Sequence, residues 1–120
     1  MHRDAALLSA RSDSWEERAA AAEALVLVDG DEADAAVAAL LDDENLAVIR
    51  RAVASLLANP TPRAVGRFTS SYATASDQVG DYMNDELRAA VALNPPVRIT
   101  LAALADQGDA GAQMALDWLS

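Results

Sequence analysis

Three stretches of this chain can be laid over one another: Glu17-Arg18-Ala19-Ala20-Ala21-Ala22, Ile49-Arg50-Arg51-Ala52-Val53-Ala54 and Leu87-Arg88-Ala89-Ala90-Val91-Ala92. Their arginines stand 32 and then 38 residues apart, and each copy has an acidic residue upstream, Asp13, Asp43 and Asp85. A break, a shorter apolar stretch and the next copy follow each one. A repeat of this period built from helix formers predicts stacked helical hairpins, because a single hairpin cannot bury both of its faces.

The residues available for a core point the same way. Alanine and leucine dominate, and the aromatics are few: Trp15, Phe68, Tyr72, Tyr82 and Trp118. Alanine is the best helix former and lets helix backbones approach closely. Sheets draw instead on β-branched and aromatic residues. The expected fold class is all-α, with about eight short helices in one domain over residues 1–120. Helices are predicted over His2–Ala10, Trp15–Val28 and Asp31–Leu41, the second capped by Ser12-Asp13-Ser14 and closed by Asp29-Gly30. Leu7 and Leu8 form the apolar face of the first. Another helix starts at Asp42-Asp43-Glu44 and buries Leu46, Ile49, Val53, Leu56 and Leu57. Thr61 caps the next and Pro62 takes its first position, with Val65, Phe68 and Tyr72 inward. The Ser/Thr/Ala-rich stretch from Thr69 to Asp77 has the weakest pattern, and reads as a frayed end or a loop. Helix resumes by Asp81 or Asn84 and carries Met83, Leu87 and Val91. After Asn94-Pro95-Pro96 come Val97, Leu101 and Leu104. After Gly108-Asp109 the last helix carries Ala112, Ala115, Leu116 and Leu119.

The three copies resemble the HEAT class of α-solenoids, whose units carry an Asp in a turn and an Arg inside the helix that follows. Leu87-Arg88-Ala89-Ala90-Val91-Ala92-Leu93-Asn94-Pro95, followed by Leu101-Ala102-Ala103-Leu104-Ala105-Asp106, is similar to the leucine-rich-variant relatives of that class. The likeness runs from about residue 13 to 107. It implies an α-α superhelix of antiparallel hairpins in which Arg18, Arg50 and Arg88 are structural and meet carboxylates of their own or the adjacent turn. The acid-to-arginine spacing of 5, 7 and 3 and the long Thr69–Asp81 stretch imply an uneven one.

Charge narrows the partners. The formal charge is −10, and all nine basic residues are arginine. Nucleic acid and anionic membranes require a positive footprint, so neither is expected, and the likeness to HEAT proteins that act on damaged DNA stops at this charge. A basic protein partner fits. The chain has no cysteine, which excludes disulfides and thiolate chemistry. The start, Met-His-Arg-Asp-Ala-Ala-Leu-Leu, is too short an apolar run for a signal peptide, and no stretch approaches a membrane span. A cytoplasmic location is the expectation.

No catalytic constellation is evident. His2 is the only histidine, so Ser-His, Cys-His and zinc arrangements cannot be assembled. Asp29-Gly30-Asp31-Glu32-Ala33-Asp34 loosely resembles a calcium loop, but Gly falls second and Leu40 stands where a bidentate Glu is needed. It reads as helix capping, as does Asp42-Asp43-Glu44. No Gly-rich phosphate loop is present. The expectation is a protein without enzymatic activity, cofactor or metal.

What remains is surface. In a solenoid the second helix of each hairpin lines the concave side, here Asp31–Leu41, Thr61–Tyr72 and Pro95–Asp106. Candidate protein-binding residues are Asp31, Glu32 and Asp34, with Tyr72, Tyr82 and Trp118 as partly exposed aromatics of the kind interfaces favour. The ending Leu116-Asp117-Trp118-Leu119 lacks the polar outer face of a capping repeat, which suggests a homodimer through the last helix. The leading function is a protein-binding scaffold or adaptor. An acidic immunity-type or antitoxin-type inhibitor of a basic protein is the alternative, and an accessory that holds a small molecule comes third.

Overall fold

Among the described residues, six side chains start helices by accepting a hydrogen bond from a first-turn N–H: His2, Ser14, Asn45, Thr61, Ser76 and Asp109. Each satisfies a donor that has no partner within the helix itself. The computed structural model describes residues 2–120. Among these it is all-helical, with α1 (Arg3–Ser9), α2 (Trp15–Leu25), α3 (Asp31–Leu40), α4 (Leu46–Ala58), α5 (Pro62–Thr74), α6 (Asp77–Leu93), α7 (Pro96–Asp106) and α8 (Ala110–Leu119). No described helix is long and apolar enough to cross a membrane.

Several boundaries differ from the sequence expectation. Helix α2 stops at Leu25, not Val28, because the Val28 N–H turns back to the Leu25 carbonyl. Gly30, at φ 118°, precedes α3 in a conformation glycine adopts without strain. Helix α4 begins at Leu46, not at the acidic triplet: Asn45 Oδ1 accepts from the Ala47 N–H at 2.8 Å, while Asp43 is committed elsewhere. The stretch expected to be frayed is two helix ends around a short turn. Helix α5 runs to Thr74, and Ser76 caps α6, which begins at Asp77 and so extends well before Asp81. Pro62 occupies the first turn of α5 as expected.

The chain divides into two compact units, residues 1–55 and Leu56–Ser120, with the division inside α4. In the N-terminal unit α2 packs against both α1 and α3, which also touch each other. Alanines make this closeness possible: Ala19, Ala21 and Ala22 of α2, Ala6 of α1 and Ala33 of α3 are buried, with Leu25, Val37 and Leu40 filling the rest. Leu8 is instead 74% exposed, so the inward face of α1 is Ala6 and, in part, Leu7.

In the C-terminal unit α5 and α7 are neighbours, and α8 packs against both. Phe68 and Tyr72 stack within its core, with ring centroids 5.3 Å apart. Helix α6 has 17 residues but buries only Met83 and Leu87, and Val91 is half-buried. Leu93, at its end, is 87% exposed.

Candidate functional site

Each unit holds a part-buried polar lock between distant stretches of chain. In the N-terminal unit Arg18 grips Asp43 bidentately, Nε to Oδ2 at 2.9 Å and Nη2 to Oδ1 at 3.1 Å, while Nη1 donates to the Ser12 carbonyl at 2.9 Å. Both side chains are nearly covered, at 13% and 10% exposure. The hydrogen bonds to Asp43 hold the guanidinium above arginine's ordinary pKa, against the desolvation that opposes it. Asp43 also accepts from the Asn45 N–H and so fixes the turn into α4. The partner of this repeat arginine is therefore the acid of the next copy, while Asp13 of its own copy is exposed.

In the C-terminal unit the lock joins α5 to α8. Thr69, a fully buried polar residue, places its hydroxyl between the Gly66 carbonyl (3.1 Å) and Asp109 Oδ2 (3.0 Å). Asp109 Oδ1 accepts from the Ala112 N–H and starts α8. A Cβ on Gly111 would stand 2.7 Å from the Thr69 carbonyl carbon and closer still to its oxygen, so only glycine lets the two backbones meet. Arg88 sits in a different setting from Arg18. Arg50 is half-buried on α4, and Arg88 is exposed on α6 with its guanidinium 4.6 Å from the centre of the Trp118 ring.

One open concavity of the N-terminal unit is a groove of about 340 Å³ between α1 and α3. Its floor is Leu7, Ala10, Ala35, Ala36 and Ala39; Glu32 and Arg11 stand at its edges. Helix α3 has two faces. Ala33, Val37 and Leu40 point into the core, and Glu32, Ala35, Ala36 and Ala39 form a second line at helical spacing. The edges carry opposite charge at opposite ends. At one end the first turn of α3 carries Asp31, Glu32 and Asp34, with Arg3 Nη2 3.5 Å from Glu32. At the other, Arg11 follows the end of α1.

The residues expected at a binding surface fall into two groups. Asp31 and Glu32 are exposed and Asp34 is half-buried, all on that first turn of α3. Tyr72 is not a surface residue: it is buried beside Phe68, and its hydroxyl donates to Asn84 Oδ1 at 2.5 Å. Burial raises the Tyr72 pKa, and the Asn84 bond offsets part of that rise. Tyr82 and Trp118 are half-buried, the latter under Arg88. The expected dimer surface on α8 is also partly used, since Leu116, Trp118 and Leu119 are all half-buried. The groove floor was missed in the sequence, where Ala35, Ala36 and Ala39 merge with the other alanines.

A second cleft of about 440 Å³ lies beside Tyr72, Asn84 and Met114, edged by Asp77 and Asp81. His2 Nδ1 is occupied as the acceptor that starts α1, at 3.3 Å from the Asp4 nitrogen. Among the described residues no three carboxylate or imidazole groups are gathered as a metal site. Comparison of the chain with family models, with characterised proteins and with solved structures gives no match.

Proposed function

We propose that this chain is a helical-repeat scaffold of the HEAT-like kind, without catalytic activity, that holds another protein in the groove between α1 and α3. The groove carries the reading: an apolar floor of mostly small side chains, open to solvent, with Asp31 and the Arg3–Glu32 ion pair at one end and Arg11 at the other. Such a surface binds and orients, and its charges select a partner more than they add affinity. Two features support the repeat reading. Alternate helices are neighbours within each unit, α1 beside α3 and α5 beside α7, and Arg18 of one copy fastens the turn that opens the next. Reading the chain as an acidic inhibitor of a basic protein draws on one further observation. Up to Ser55 the chain carries twelve carboxylates against five arginines.

Affinity capture from the native host with three baits tests the scaffold reading: wild type, Ala35→Trp and Glu32→Lys, each at low and high salt. Ala35 is exposed, so a tryptophan there fills the groove without entering the core. The expected result is a partner held by wild type and lost by Ala35→Trp. A single basic partner that Glu32→Lys and high salt also release supports the inhibitor reading. Identical captures by all three baits would overturn both.

A further inference from the structure

Helix α7 is apolar on two sides. Val97 and Leu101 are buried on one. On the other, Ile99, Ala102 and Ala103 are exposed, Ile99 at 70%. With Asp106 these three follow the spacing i, i+3, i+4 and i+7, and so share one face. A helix that is apolar all round belongs in an interior. The only charged residues of α7 are Arg98 and Asp106, both exposed. They lie eight residues apart, about 12 Å along the axis, too far to pair with each other. Neither joins an ion pair among the described residues. Both also oppose the helix dipole, since the cation stands in the first turn and the carboxylate in the last. Their placement therefore does nothing for α7 on its own.

We infer that a second copy of this chain covers the face, with the two α7 helices antiparallel about a two-fold axis at Ala102. The charges select this occupant. Antiparallel pairing at that register brings Arg98 of each copy level with Asp106 of the other, twice over. Each charge then also meets the end of a helix whose dipole it suits. Parallel pairing would set like charge against like. A two-fold interface uses the same patch on both copies and has to be self-complementary, as this one is. Ala102 at the centre lets the backbones approach, and Ile99 of each copy is covered by the other. Net charge opposes the contact less here than elsewhere: Leu56–Ser120 carries seven carboxylates against four arginines, and the rest of the chain twelve against five. One 11-residue helix per copy makes an interface at the small end of the specific range, so the dimer is weak and concentration-dependent.

Sedimentation equilibrium of the full chain from micromolar to millimolar concentration reads the dimer, and a charge-reversal cycle locates it. Arg98→Glu and Asp106→Arg are each expected to weaken self-association at least ~10-fold (about 1.4 kcal/mol), because each sets like charges together twice. The double variant Arg98→Glu/Asp106→Arg restores it, since the pairs form again with signs exchanged. Both reversals suit the dipole of α7 itself, so lost association cannot be traced to a weakened helix. Ile99→Lys abolishes the dimer while the helical circular dichroism is unchanged. A second readout is independent of the charges. The chain has no cysteine, so Ala102→Cys places one thiol per copy at the axis. Oxidation is expected to join two copies at least ~10-fold faster than with Ser70→Cys on the exposed side of α5. A chain that stays monomeric to millimolar concentration, a dimer that neither reversal weakens, or a double variant no better than the single ones would overturn the inference. A dimer that Trp118→Ala dissolves and Ile99→Lys does not would also overturn it, placing self-association on α8.

Discussion

The two units solve one packing problem with different helices. In the N-terminal unit the helix lodged against an alternate pair is α2, which lies between α1 and α3 in sequence. In the C-terminal unit the helix lodged against α5 and α7 is α8, while α6, which lies between them in sequence, buries only two residues. Side-chain size accounts for the difference. Helix α2 offers three buried alanines, and α8 offers Gly111, Ala112 and Ala115. Helix α6 instead buries Met83 and Leu87, with Tyr82 half-buried. The repeat arginines follow their helices: Arg18 reaches the carboxylate of the next turn, and Arg88 is left exposed against Trp118. A repeat read from sequence thus specifies which helices resemble one another, and glycine and alanine decide which of them takes the inner place.

The sharpest way to break this comparison is at Gly111. Gly111→Val forces the α8 and α5 backbones apart, and is expected to cost about 3 kcal/mol in urea unfolding. Gly66→Ala on α5 meets open space and is expected to be neutral or to stabilise by up to about 1 kcal/mol. Equal effects at the two glycines would refute the close-contact account. Double-mutant cycles then compare the arginines. Coupling between Arg18 and Asp43 is expected to exceed that between Arg88 and Trp118, which an exposed cation–π pair limits to about 0.5–1 kcal/mol. Thr69→Val removes one buried hydroxyl shared between α5 and the start of α8, and is expected to cost about 1 kcal/mol.

The smallest effect is conditional on pH. Tyr72 has its pKa raised on folding, so its contribution is fully present below the unfolded value near 10 and is lost as pH rises through the folded one. Thermal stability should therefore fall above pH 10, and Tyr72→Phe should shrink that fall. A Tyr72→Phe curve parallel to wild type above pH 10 would contradict the burial of this hydroxyl.

The sequence made the helical class, the caps at Ser14 and Thr61 and most core positions legible, because apolar spacing and capping chemistry are local. It also pointed to the acidic turn of α3. The start of α6 was recoverable from Ser76-Asp77, a cap followed by a first-turn acid, but lay inside a stretch without apolar periodicity. The place of α8 was not legible, because it depends on the non-local meeting of Gly111 with Thr69. The burial of Tyr72 and the groove floor were hidden for a related reason. Whether an aromatic or an alanine faces solvent is decided by the neighbouring helix, and composition does not carry that information.

Hydrogen–deuterium exchange of the chain alone and saturated with its captured partner tests the central claim most directly. The account predicts added protection in α1 and α3, with α5, α7 and α8 unchanged. Added protection in α5 and α7 together with lost protection in α8, or no change along α1 and α3, would contradict it.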